Sequence, residues 1–87
     1  MKKLSFADVR AMLDEACLVL RLFTLARPGF NEQHGKDAIR RVNAQCDRLK
    51  ALFATGPHAK TAAFVMQSAR TRILAAEARL ALLQKGR

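Results

Sequence analysis

The chain contains no tryptophan, no tyrosine and only five phenylalanines among its 87 residues. Proteins that bind single-stranded bases stack them on aromatic side chains, so this composition argues against such a function. The hydrophobic content of 51% is nevertheless too high for a disordered chain. We therefore expect a folded protein, and the length allows a single small domain over residues 1–87.

Cysteine is also scarce, and long apolar runs are missing. Cys17 and Cys46 show neither the dense spacing of a disulfide scaffold nor the CxxC pairs of a zinc site. We expect buried, reduced thiols rather than a disulfide, and neither a metal nor a cofactor, in a cytoplasmic protein. The main apolar run, residues 16–26, contains Arg21 and falls well short of the ~20 residues that a membrane span needs. No membrane span is predicted.

Apolar residues recur at intervals of three and four in three segments, which the two prolines separate. This periodicity predicts helices at about 5–27, 36–54 and 59–84. Ser5 is suited to cap the first helix, and Pro28 favours its end. Short connections place neighbouring helices antiparallel. The predicted fold class is all-α, a small antiparallel three-helix bundle with a short flexible N-terminus and a frayed C-terminal tail.

The first and third helices carry a second apolar face, which a monomeric three-helix bundle does not require. Contiguous exposed apolar residues usually mark association sites, so we expect a protein interface here. Its predicted residues are Leu18, Leu22 and Leu25 on the first helix and Phe64, Ala75, Ala78 and Leu82 on the third. The alternative is that the first helix is simply the most buried element and that the third carries scattered surface apolar residues.

Positive charge dominates the chain, with 16 basic and 7 acidic residues and a formal net charge of +9. Six of the basic residues and one acid lie in residues 57–87. Such an excess indicates a nucleic acid, an anionic membrane surface or an acidic protein partner, or else a solvated surface that keeps the protein soluble. The predicted charged contacts to an acidic partner or to phosphate are Arg40, Arg41, Arg48, Arg70, Arg72 and Arg79.

Patterns that indicate catalysis are absent from the sequence. His34 and His58 are the only histidines, and both fall in or beside predicted loops. The sequence contains no glycine-rich phosphate loop and no metal-ligand spacing. We therefore predict that the protein is not an enzyme and has no small-molecule substrate.

Two hypotheses remain for the function. The first is a protein-binding module, such as an inhibitor, adaptor or chaperone-like subunit of the kind found in phages and other mobile elements, that docks on an acidic partner or on a second copy of itself. The alternative is a basic, dimeric nucleic-acid-binding regulator that contacts phosphates by shape rather than by sequence. The second apolar faces favour the first hypothesis.

Overall fold

The computed structural model describes residues 4–86, which fold into three helices: α1 (Phe6–Thr24), α2 (Glu32–Phe53) and α3 (Ala59–Lys85). No strand occurs in this part of the chain, and all three helices contribute to one hydrophobic core. The predicted all-α three-helix bundle is therefore confirmed. None of the helices within these residues combines the length and apolar character that crossing a bilayer requires.

The first helix starts where the sequence predicts and ends earlier. The Ser5 side chain accepts a hydrogen bond from the Asp8 backbone at 3.1 Å, and the Asp8 carboxylate accepts one from the Ser5 backbone at 3.1 Å. This reciprocal pair satisfies amide donors that a helix start leaves unpaired. The helix ends at Thr24 rather than at Arg27, because Ala26 adopts a left-handed conformation with φ of 58°.

The second helix begins at Glu32, so the predicted start near Lys36 is wrong. Asn31 caps the helix by accepting a hydrogen bond from the His34 backbone at 3.1 Å, and the His34 ring accepts one from the Asn31 backbone at 3.2 Å. Gly35, which reads as a loop residue in the sequence, lies buried within the first turn. Glycine at this position allows close packing and does not end the helix.

Aromatic and polar contacts at the two ends of the bundle fix the direction of the helices. At one end, the Phe6 ring of α1 lies 5.3 Å from the Phe53 ring of α2 and 4.5 Å from the His58 ring that precedes α3. At the other end, the Gln84 amide of α3 donates a hydrogen bond of 3.3 Å to the Glu32 carboxylate of α2. Therefore α1 and α3 run in the same direction and α2 runs against both.

The core is lined by one face of each helix, as the periodicity predicts. Alanines supply much of the face of α3, and their small side chains let helix axes approach closely. The third helix continues to Lys85, just beyond its predicted end. Residues 1–3 of the predicted flexible N-terminus and Arg87 of the predicted frayed tail lie outside the described residues. The buried core residues are Val9, Leu13, Ala16, Leu20, Phe23, Ala38, Val42, Cys46, Leu49, Ala62, Val65, Ala69, Ile73 and Ala76.

Candidate functional site

The groups that could take part in catalysis are dispersed over the bundle. His34 is part of the cap of α2, whereas His58 stacks on Phe6 at the opposite end of the molecule. Burial raises the pKa of the Cys17 and Cys46 thiols, so both are protonated near neutral pH and neither is an activated nucleophile. Within residues 4–86, no three or more His, Cys, Asp or Glu side chains are grouped to hold a metal ion.

A groove of about 360 Å³ lies between α1 and α3, along the side of the bundle that α2 does not cover. Its floor consists of core side chains, among them Leu13, Val65 and Ala69. Leu18 lines it from α1 and Phe64 lines it from α3. We call this cavity and its lining the α1/α3 groove.

Two of the predicted interface residues meet in this groove. Leu18 is 57% exposed and Phe64 is 70% exposed, although both are large apolar side chains. The periodicity assigns each of them to a second apolar face of its own helix, and the fold turns those two faces toward a common cavity. Since Leu18 is more than half exposed, the bundle leaves this part of the second face of α1 uncovered.

The remaining predicted interface residues lie outside the groove lining. Leu25 and Leu82 are 54% and 69% exposed, and Ala75 and Ala78 are exposed as well, whereas Leu22 is half-buried. At 100° per residue, Leu25 follows Leu18 on one side of α1, and Leu82 follows Phe64 on one side of α3. These two leucines therefore extend the apolar walls beyond the groove, toward the C-terminal ends of α1 and α3.

Basic side chains flank the apolar walls of the α1/α3 groove. Arg10 and Arg21 line it from α1 and Arg72 lines it from α3, and all three are exposed. Asp14 is the acidic residue of the lining. The ion pairs of residues 4–86 lie on α2, so these three guanidinium groups have no carboxylate partner in the described part of the chain. The groove thus combines apolar walls with unpaired positive charge.

The charge of Arg72 acts on the interior of the groove. Burial raises the pKa of the Cys17 thiol, and the Arg72 guanidinium across the groove opposes that rise. Cys17 itself is half-buried in the lining. The Asp14 carboxylate of the same lining acts in the opposite direction to Arg72, so charges of both signs act on this position.

No protein-family model, curated protein or solved structure matches this chain. In the α1/α3 groove, large exposed apolar groups and unpaired cations line the same cavity.

The structure does not bring the six predicted arginines into one patch. Arg40 is paired with Asp37 at 2.8 Å, and Arg41 lines a separate groove between α1 and α2. Arg48 makes a long contact of 3.9 Å to the Met12 sulfur, on that same side of the bundle.

The three arginines of α3 are also divided among different surroundings. Arg70 lines a shallow groove between α2 and α3, and Arg72 lines the α1/α3 groove. The Arg79 guanidinium lies over the Phe23 ring, with 5.5 Å from its central carbon to the ring centroid. Of the six predicted charged contacts, Arg72 is thus the one that lines the α1/α3 groove with Leu18 and Phe64.

Sequence reasoning missed two basic residues of the groove. Arg21 appears in the sequence as an interruption of an apolar run, and Arg10 as an ordinary surface residue of the first helix. Eleven residues separate Arg10 and Arg21, which is close to three whole turns and places both on nearly the same side of α1. This spacing could have identified them in the sequence as a pair. It also missed the exposed Leu52 and Leu74, which lie outside the α1/α3 groove.

A second groove, of about 330 Å³, lies between α1 and α2. Its polar lining carries both signs of charge, since Glu15 and Asp37 face the same cavity as Arg41. Large exposed leucines or phenylalanines are not part of this lining, because Phe30 and Met12 are both partly buried against the core. This groove therefore has an apolar lining, but none of the large, mostly exposed apolar side chains that line the α1/α3 groove.

Proposed function

We propose that the protein is a non-enzymatic protein-binding module, such as an inhibitor, adaptor or chaperone-like subunit, whose α1/α3 groove binds an acidic surface of another protein. The observation that carries this proposal is the exposure of Leu18 and Phe64 in one groove between unpaired arginines. Exposed apolar residues framed by charged residues are typical of protein interfaces. We expect the interaction to take place in the cytoplasm, where thiols such as those of Cys17 and Cys46 stay reduced.

The apolar side chains supply the larger part of the expected binding energy. Burying a leucine or phenylalanine contributes roughly 1.5 to 3 kcal/mol, so Leu18 and Phe64 together contribute several kcal/mol before the cost of association. Leu25 and Leu82 would add to this if the partner reaches beyond the groove. The arginines mainly set the orientation and the rate of encounter with an acidic surface.

Charge favours an acidic partner over a second copy of the chain. In a symmetric dimer the same patch of each subunit faces its counterpart, so three arginines and one carboxylate, Asp14, would face a second patch with the same excess of positive charge. The net charge of +9 adds repulsion between two copies at longer range. An acidic protein is instead attracted both by the arginines of the groove and by the net positive charge of the chain.

The distribution of arginines also favours a protein over a nucleic acid. A duplex is bound through a row of cations that follows its phosphates, whereas Arg41, Arg70 and Arg72 line three different grooves. A bound phosphate backbone would also leave the apolar side chains of Leu18 and Phe64 exposed to water.

Capture of partners from a lysate of the source organism tests the proposal, with two double variants of the full chain. Leu18→Gln with Phe64→Gln removes the apolar contacts of the groove, and Leu52→Gln with Leu74→Gln is the matched control. All four side chains are at least half exposed, so neither variant disturbs the core. The captured proteins are identified, and their binding to each purified variant is then measured.

We expect the wild-type chain and the control variant to capture the same acidic protein, and the groove variant to lose it. Capture should survive nuclease treatment. Equal binding of that protein by the groove variant would overturn the proposal. Release of all captured material by nuclease would replace it with the nucleic-acid alternative.

A further inference from the structure

The walls of the α1/α3 groove restrict the kind of segment that can lie in it. Both walls are α-helices, in which each central N–H and C=O group is bonded within the helix. The groove therefore offers side chains to a partner but no backbone groups and no strand edge. An extended segment would leave its own backbone groups on the buried side without partners, which is costly. A helix satisfies those groups internally.

The length and direction of the groove also suit a helix. Arg10 and Arg21 are eleven residues apart on α1, which corresponds to about 16 Å or three turns. The cavity is lined by α1 on one side and by α3 on the other, and these two helices run in the same direction. A helix lying between them packs its side-chain ridges against both neighbours, as in a four-helix bundle.

The charges of the groove define the sequence pattern of that helix. Leu18 and Phe64 require apolar residues repeated at intervals of three and four along one face of the ligand. Arg10 and Arg21 on one wall and Arg72 on the other require carboxylates on both flanks of that face. Carboxylates bind guanidinium groups through paired hydrogen bonds, which would fix the position of the helix along the groove.

Resting on the proposed function, we propose that the partner places the apolar face of an acidic amphipathic α-helix of at least three turns in the α1/α3 groove and so completes a four-helix bundle. Unpaired guanidinium groups on both walls select acidic flanks, and the absence of accessible backbone groups selects a helix. A second copy of this chain is the poorer occupant, because its net charge of +9 is repelled by the basic groove.

Designed peptides of about 18 residues, or five turns, test the inference with the full-length chain. The first peptide carries a leucine stripe flanked by glutamates. The second has two central prolines, which cannot continue a helix. The third has the same composition as the first in scrambled order, so that its charge is kept and its stripe is lost. Binding is measured by fluorescence anisotropy, and helix gain by circular dichroism.

We expect the first peptide to bind in a one-to-one complex and to gain helix on binding. The proline peptide should bind about a hundredfold more weakly, because each proline strongly opposes helix formation. The scrambled peptide should retain only weak, salt-sensitive attraction to the basic chain. The Leu18→Gln/Phe64→Gln variant should lose the first peptide, and the Leu52→Gln/Leu74→Gln variant should keep it.

Failure of this inference can be told apart from failure of the proposed function. Equal binding of the proline and striped peptides, or no binding of any peptide, overturns the helical occupant. The proposed function then still stands if the captured natural partner depends on Leu18 and Phe64. Unchanged binding of the striped peptide by the groove variant removes the α1/α3 groove as its site and overturns the inference as well.

Discussion

At the scale of single residues, the contact between Gly35 and Phe23 shows why a glycine occupies the start of α2. A Cβ atom at position 35 would lie 2.6 Å from Cε2 of the Phe23 ring. Phe23 is completely buried, so its ring has little freedom to move away. Glycine is a poor helix former, and here its cost is offset by the close approach of an aromatic ring.

Replacing Gly35 with alanine should therefore destabilise the protein, although alanine is the better helix former. Overpacking of this kind costs about 1–3 kcal/mol. Urea denaturation followed by circular dichroism measures the change. Gly86→Ala is a matched control, because its Cβ would meet nothing closer than 3.7 Å. A Gly35→Ala variant as stable as the wild type would show that the Phe23 ring is not held in place.

Arg79 is predicted from the sequence as a contact to an acidic partner or to phosphate, but in the structure it packs against the core. Its guanidinium lies over the Phe23 ring, and its Nε is buried without a hydrogen-bond partner in the described residues. A cation over an aromatic face is attracted by the ring. In the sequence, Arg79 lies beside an apolar stripe. An arginine at such a position can extend its guanidinium group into solvent or place it over a core side chain, and the spacing of residues alone does not distinguish these two arrangements.

At the scale of helices, the ends show which local signals can be read from sequence. The start of α1 was predictable because Ser5 and Asp8 form a familiar capping pair. The start of α2 was not, because His34 takes the place of the usual Glu or Gln in its cap, and Gly35 resembles a helix breaker. The long stripes were predictable throughout, since burial of one face imposes their period.

The end of α1 uses a Schellman turn with an unusual residue. The Arg27 amide donates to the Leu22 carbonyl at 3.0 Å, and the Ala26 amide donates to the Phe23 carbonyl at 3.0 Å. Ala26 holds the left-handed position of this turn, with φ of 58°. Glycine is the usual residue there, because a Cβ atom makes this conformation unfavourable.

Ala26→Gly should consequently stabilise the protein by about 1 kcal/mol, because it removes left-handed strain. Ala54→Gly is the matched control at the end of α2, where φ is −66°. We expect that control to be neutral or slightly destabilising, because glycine adds freedom to the unfolded chain. Thermal and urea denaturation measure both variants. A destabilised Ala26→Gly protein would contradict this account of the turn.

The candidate site was predictable in part at this scale. Leu18 and Phe64 could be assigned to second apolar faces from periodicity alone. Whether those faces meet depends on the order in which α1, α2 and α3 are arranged around the bundle axis. Short connections fix antiparallel neighbours but leave that handedness open. The groove, and the part that Arg10 and Arg21 play in it, therefore emerged only from the folded chain.

At the scale of the whole molecule, the net charge of +9 has to be weighed against its distribution. A total of this size suggests binding to nucleic acids, and it acts at long range on any polyanion. Binding strength, however, depends on how many cations reach one surface together. Arg41, Arg70 and Arg72 line three grooves on different sides of the bundle. We therefore expect general attraction to polyanions with few simultaneous contacts.

Measuring the salt dependence of duplex DNA binding tests this expectation directly. The logarithm of the binding constant falls with the logarithm of salt concentration by about 0.9 for each phosphate contact. With the arginines divided among three grooves, we expect a slope equivalent to about three contacts or fewer, and weak binding at physiological salt. Arg72→Gln and Arg41→Gln should each change the slope by less than the equivalent of about one contact. The reason is that the two arginines line different grooves, and a duplex contacts only one of these grooves in any one complex. A slope equivalent to about six contacts would require a continuous basic surface, which would make nucleic acid the better partner.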